Sequence, residues 1–92
     1  MTTTKLPNGG ELHESGGVKC WYLNGDLHRE DGPAVEYSSG IKIWYLNGNY
    51  HREDGPAVEF LNGDKYWYLN NIQIRCKTQK EFERLMRLKA FW

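Results

Sequence analysis

The sequence predicts a mainly β protein, an antiparallel meander of β-hairpins capped by one C-terminal α-helix. Three observations predict it. A 23-residue unit recurs in tandem, which marks a stack of small supersecondary units. The chain is rich in aromatic residues, with four Trp and six Tyr among 92 residues, and flat rings suit a pleated surface. After residue 77 the apolar spacing changes from alternation to a helical period.

The elements follow in chain order. Residues 21–43 (WYLNGDLHREDGPAVEYSSGIKI) and 44–66 (WYLNGNYHREDGPAVEFLNGDKY) match at 16 of 23 positions without a gap. Running the frame backwards, Gly17 falls on Gly40 and Gly63, and Asn8-Gly9 on Asp31-Gly32, so the N-terminal segment is a degraded half-repeat. A further copy starts at Trp67 and departs at Ile72. In each copy a strand such as Ile41–Leu46 runs into Asn-Gly, the strongest short hairpin signal because both residues accept positive φ. The chain returns through Asn49–Glu53, bends at Asp54-Gly55-Pro56, and continues as Ala57–Phe60. Pro33 and Pro56 lack an N–H and belong at bends or strand starts. The whole chain, 1–92, is one domain: hairpin repeats over 10–71, a last strand and linker over 72–77, and a helix over 78–91.

Alternation divides each Trp strand between two faces. Trp21/Leu23, Trp44/Leu46 and Trp67/Leu69 share the face that stays constant between copies, the expected core. Tyr22, Tyr45 and Tyr68 point the other way beside changeable neighbours, the expected free surface. The helix is announced by Thr78-Gln-Lys-Glu81, a capping box. Phe82, Leu85, Met86, Leu88 and Trp92 then recur at helical spacing, with Arg84, Arg87 and Lys89 mostly on the other side.

The charges cancel overall but not locally. Residues 1–71 hold six Lys/Arg against ten Asp/Glu, and residues 72–92 hold six against two. An acidic body thus carries a basic tail, either for a charged partner or for mutual neutralisation. With the total near zero, bulk nucleic-acid binding is a minority reading, although Lys77–Trp92 mixes cations with Phe82, Phe91 and Trp92. Cys20 and Cys76 make no disulfide framework. No leader-like or membrane-length apolar run occurs, so an intracellular, cytoplasmic location is expected, with no membrane partner.

One constellation invites a chemical reading: His28-Arg29-Glu30-Asp31 and its copy His51-Arg52-Glu53-Asp54. Imidazole, guanidinium and carboxylates together can serve acid–base work or grip a phosphate. Their repetition with the Gly-Pro turn argues for a structural role, because turn-forming groups come in tandem copies and catalytic groups rarely do. No serine sits in a nucleophile elbow, and the Cys and His residues lack metal-ligand spacing. A non-enzymatic protein with no cofactor and no metal is expected.

The segment WYLNG-x-x-HREDGPAVE at a 23-residue period resembles a variant of the MORN-type repeat, over about residues 10–71. MORN repeats are β-hairpins with an aromatic strand, an Asn/Asp-Gly turn and a His-containing return. This chain departs from them in carrying His-Arg-Glu-Asp-Gly-Pro-Ala in place of His-Gly-x-Gly. The W-Y-x-N-G-x-x-H-R-x-x-G-P-A spelling is similar to repeats in proteins of tailed phages and giant DNA viruses. That resemblance implies a small viral-type binding module, an inhibitor or adaptor acting on a host protein such as a defence enzyme, as a monomer or homodimer. Tyr22, Tyr45, Tyr68, Arg84 and Arg87 are the expected contacts. Two alternatives stay open: sequestration of a nucleotide ligand by His28, Arg29, His51 and Arg52, and a structural accessory that self-associates through open strand edges.

Overall fold

A computed structural model of the chain describes residues 1–88; Lys89, Phe91 and Trp92, and the helix expected to run on to residue 91, lie outside the described residues. The strands are β1 (Thr2–Lys5), β2 (Glu11–Ser15), β3 (Val18–Leu23), β4 (Asp26–Leu27), β5 (Val35–Tyr37), β6 (Lys42–Ile43), β7 (Tyr45–Leu46), β8 (Asn49–Tyr50), β9 (Val58–Glu59), β10 (Lys65–Leu69) and β11 (Ile72–Ile74), followed by helix α1 (Gln79–Leu88). All pairings are antiparallel, and the main sheet runs in the order β1-β2-β3-β5-β6-β9-β10-β11, with β4 on β3 and β7 paired with β8. This is the mainly β hairpin meander with one C-terminal helix.

The expected unbroken strand over 41–46 is interrupted at Trp44, leaving β6 and β7. The reason is a change of hydrogen-bonding partner at the tryptophan. Trp44 N donates to Ala57 O at 2.7 Å, while Trp44 O accepts from His51 N at 3.2 Å. Below the ring the strand belongs to the sheet built with β5 and β9. Above it, the strand belongs to the ribbon closed by Asn47-Gly48. Trp21 makes the same two bonds, to Ala34 O at 2.8 Å and from His28 N at 2.9 Å, but β3 stays unbroken because β2 pairs across it, with Leu12 opposite Trp21. The expected return strand 49–53 is correspondingly short, because His51 onward leaves the ladder to build a loop over the Trp.

Each ribbon closes with two residues at positive φ: Asn24 and Gly25, Asn47 and Gly48, Asn70 and Asn71. That conformation matches the right-handed twist of the flanking strands. Successive ribbons are hydrogen-bonded: Gly48 N donates to Leu27 O at 2.9 Å and Arg29 N to Tyr45 O at 3.1 Å. One period on, Asn71 N donates to Tyr50 O at 2.9 Å and Arg52 N to Tyr68 O at 3.2 Å. Asn71 stands where the earlier copies have glycine. Its side chain accepts from Tyr50 N at 2.7 Å and donates to Asn49 Oδ1 at 2.8 Å, stapling the last ribbon to the one before.

Two rows cross the sheet on opposite sides of the pleat. One is a charge ladder, Glu14–Lys19–Glu36–Lys42–Glu59–Lys65, in which every cross-strand neighbour has the opposite sign. Directly opposed charges of unlike sign favour the register, and a one-residue slip would place lysine against an apolar residue. The other row is apolar, Cys20–Val35–Ile43–Val58–Tyr66.

Helix α1 covers only the C-terminal end of the Trp face. Phe82 is fully buried and lies 6.2 Å from the Trp67 ring, with Ile74 completing a cluster flanked by Leu69, Cys76, Leu85 and Met86. Thr78 caps the helix, its Oγ1 accepting from Glu81 N at 3.2 Å. Gln79 then ties it down, accepting from Trp67 Nε1 at 3.0 Å and donating to Asp54 O at 3.1 Å.

Asn71→Ala is expected to lower stability by about 2 kcal/mol, because alanine resists positive φ and loses two hydrogen bonds. Asn71→Gly keeps the backbone at ease and should cost about 1 kcal/mol. Urea unfolding of the two variants checks the ranking.

Candidate interaction surface

The HRED segments are the first place to look for chemistry, and their geometry is the same in both copies. His28 Nδ1 accepts from Asn47 N at 2.9 Å, and His51 Nδ1 accepts from Asn70 N at 3.1 Å. Each imidazole thus grips the turn of the next repeat. An accepting Nδ1 leaves the ring proton on Nε2. In the second copy that proton meets Glu53 at 3.1 Å; in the first, Glu30 stands 3.6 Å away and the buried His28 Nε2 has no hydrogen-bond partner.

The arginines turn back onto their own repeat. Arg29 lies over the Trp21 ring with its Cζ 3.9 Å from the centroid, and Arg52 over Trp44 at 3.8 Å. Each is held in plane by its own loop: Arg29 donates to Asp31 Oδ1 at 3.0 Å and Pro33 O at 3.1 Å. Arg52 does the same to Asp54 at 2.8 Å and Pro56 O at 3.1 Å. Arg52 also approaches Glu59 at 3.8 Å across the sheet. The glycine in the loop is a packing requirement. A Cβ on Gly32 would stand 2.9 Å from the Arg29 Cζ, and one on Gly55 2.7 Å from that of Arg52.

These contacts commit Nε and Nη1 of each arginine and Nδ1 of each histidine to the fold. Guanidinium, aspartate and proline carbonyl form a plug over the faces of the half-buried Trp21 and Trp44. Among the described residues, no cluster of three or more His, Cys, Asp or Glu has the spacing to hold a metal ion.

The opposite face is of another kind. Strand alternation and register put Tyr22, Tyr45 and Tyr68 on the side away from α1, and Tyr37, Tyr50 and Tyr66 join them. All six tyrosines of the chain therefore share one face. Tyr50 stacks on Tyr45 at 4.8 Å and meets Tyr68 at 5.0 Å, so three rings make a continuous run across two ribbons. Phe60 sets its edge against Tyr66 at 5.9 Å, and Tyr22 meets the edge of His13 at 4.8 Å. Val35 and Val58 sit between these rings and are buried. Burial, then a hydrogen bond to Tyr50, and the neighbouring Tyr50, Tyr37 and Cys20 all push the Tyr45 hydroxyl well above the ordinary tyrosine range.

Two sequence expectations are adjusted by this geometry. Tyr22, Tyr45 and Tyr68 are half-buried, each shielded by a neighbouring ring, and the more open apolar surface comes from Tyr37, Phe60, Tyr66 and Leu61. Arg84 and Arg87 are exposed on α1, which packs on the Trp face, so the expected contacts split between two sides of the sheet. Tyr66 stands among the changeable neighbours expected on this face, whereas Tyr37, Tyr50 and Phe60 escaped the sequence reading, although counting residues by twos from the Trp strands through the turns would have found them.

Neither a protein-family model, nor a curated protein, nor a solved structure matches this chain.

Arg52→Ala is expected to cost about 2 kcal/mol through two hydrogen bonds and the ring contact. Gly55→Ala should cost a similar amount by displacing the same guanidinium, and the double variant should fall well short of additive. Additive losses in a denaturant-based double-mutant cycle would remove the glycine from the plug. A pH dependence also follows. Neutral Tyr45 contributes stability fully present below about pH 10 and lost as pH rises through its raised folded value. Melting temperature should drop on alkaline titration, and Tyr45→Phe should flatten that drop.

Proposed function

We propose that the protein is a non-catalytic binding module that docks on a macromolecular partner through its tyrosine face. The observation that carries this reading is the gathering of all six tyrosines on the side that α1 leaves alone. Tyrosine gives large, rigid contact area with a hydrogen-bonding tip and few rotatable bonds, the combination enriched in protein-binding surfaces. The HRED groups, which invited the chemical reading, are engaged in holding the repeats together.

The partner class follows from the repeat spelling and the charge balance. The resemblance to repeats in phage and giant-virus proteins supports a host protein as target, with inhibition of a defence enzyme as the most specific form of the idea and the host cytoplasm as the place. The near-neutral chain, and a face built on neutral tyrosine rings without a basic cluster, favour protein over nucleic acid. No helix among the described residues is long and apolar enough to cross a membrane.

The test is capture of a partner from host lysate, followed by titration of variants. Tyr37→Ala with Tyr66→Ala removes two of the more open rings, and a central tyrosine contact is worth about 2 kcal/mol, roughly 30-fold in affinity. Arg84→Glu with Arg87→Glu changes the other side of the sheet. Loss confined to the tyrosine pair supports the placement. Loss confined to the arginine pair, or binding unchanged in both, overturns it.

A further inference from the structure

The sheet ends differently on its two sides, and the C-terminal end is open in a specific way. In the two internal ribbons, the outer strand offers the same backbone groups to the next repeat. Leu27 O and Tyr50 O accept from Gly48 N and Asn71 N, and Arg29 N and Arg52 N donate to Tyr45 O and Tyr68 O. By the 23-residue frame, Gln73 O and Arg75 N hold these positions in the last ribbon, and no described residue meets them. Pairing of Trp67 with Ile74 and of Leu69 with Ile72 turns the Gln73 N–H and C=O away from β10. Gln73 is exposed, and Ile72 is 68% exposed.

The N-terminal edge does not match it. Strand β1 carries Thr2, Thr3, Thr4 and Lys5, all exposed, and polar residues with an edge lysine discourage strand addition. Strand β11 is Ile-Gln-Ile, without a charge. Ile72 lies on the same face as Ile74, opposite Leu69, which packs against the cluster that Phe82 and Trp67 form.

We propose that a second copy of this chain pairs with β11, antiparallel about a two-fold axis through Gln73, so that two sheets join into one. Two features favour this occupant. The inter-repeat ladder already runs edge to edge through the molecule, and β11 continues it with the same outward groups. The register about Gln73 is also self-complementary. Gln73 pairs with itself, exchanging both backbone bonds, and Ile72 of each copy lies opposite Ile74 of the other, adding to the edge of its helix-covered core. Arg75 falls opposite Asn71, so no like charges oppose. The pairing leaves the tyrosine face free and does not depend on the reading of that face.

Sedimentation of the full chain from ~1 to ~200 µM tests the proposal, because an interface of a few strand residues with apolar flanks belongs in the micromolar range. The expected species at the upper end has twice the 10.8 kDa chain mass. Ile72→Lys, at an exposed position, should weaken association by about tenfold or more while the circular dichroism spectrum stays that of the parent. Gln73→Pro removes the central N–H and should do the same, whereas Thr3→Lys on β1 should leave the dimer intact. A wild-type chain that stays at monomer mass throughout overturns the proposal. So does a dimer that survives Ile72→Lys, or one that Thr3→Lys alone dissolves.

Discussion

A backbone N–H at a left-handed asparagine, accepted by an imidazole one repeat earlier, is the constraint on which the stack depends. The first turn residue, Asn47 or Asn70, adopts positive φ, which aims its N–H out of the ribbon and toward the previous repeat. Only a side-chain acceptor of defined reach can meet it, and His28 and His51 do. Once the turn is caught, the ribbon bonds from Gly48 and Asn71 fall into place beside it. The last copy shows the same logic by omission. No turn follows it, and the histidine position is Ile74, which joins the apolar cluster under α1.

A single sheet of this size must protect both faces without a second sheet, and it does so by three different means. At the C-terminal end a helix supplies Phe82 to cover Trp67. Over Trp44 and Trp21, where no helix reaches, the covering group is the guanidinium of the same repeat, held flat by an aspartate and a proline carbonyl. A cation over an indole remains wet at its outer edge, which suits a face that is never buried. Beyond the tryptophans the surface is the charge ladder, whose alternating signs leave almost no net field. On the other side the rings shield one another and the valines beneath them.

Much of the frame was legible because a period of 23 residues forces each copy into the same local structure. Asn-Gly announced the turns, Gly-Pro the bends, and Thr78 the helix start. The break at Trp44 was not legible, since alternation runs straight through it; the change of partner depends on Ala57, thirteen residues away. The role of Arg29 and Arg52 was hidden for a related reason. Their nearest charged neighbours in sequence explain the ion pair, but the stack on a tryptophan eight residues earlier needs the loop geometry. The charge ladder is invisible until the register is known, because its six members come from strands spread over residues 14–65. Tyr50 belongs to the return strand expected over Asn49–Glu53, and only pairing with Tyr45 puts it among the tyrosines.

Comparing the copies with one another separates what the fold needs from what a surface can change. Trp, Leu, His, Arg, Gly, Pro, Ala and Val recur in both full copies, and each has an assigned mechanical task. The positions that differ lie largely on the tyrosine side or at the tips beside it: Leu27 against Tyr50, Cys20 against Ile43 and Tyr66, Tyr37 against Phe60, Ser38-Ser39 against Leu61-Asn62. On the Trp side the plug and ladder positions stay fixed between the two full copies, and the difference there is the turn-flanking Asp26 against Asn49. The recurring Tyr22, Tyr45 and Tyr68 form the common floor of the variable side, and the residues around them give each repeat its own relief. A stack whose imidazole bonds, plugs and charge ladder draw on the fixed positions can alter the others without loss of register, and that freedom is what a docking surface requires.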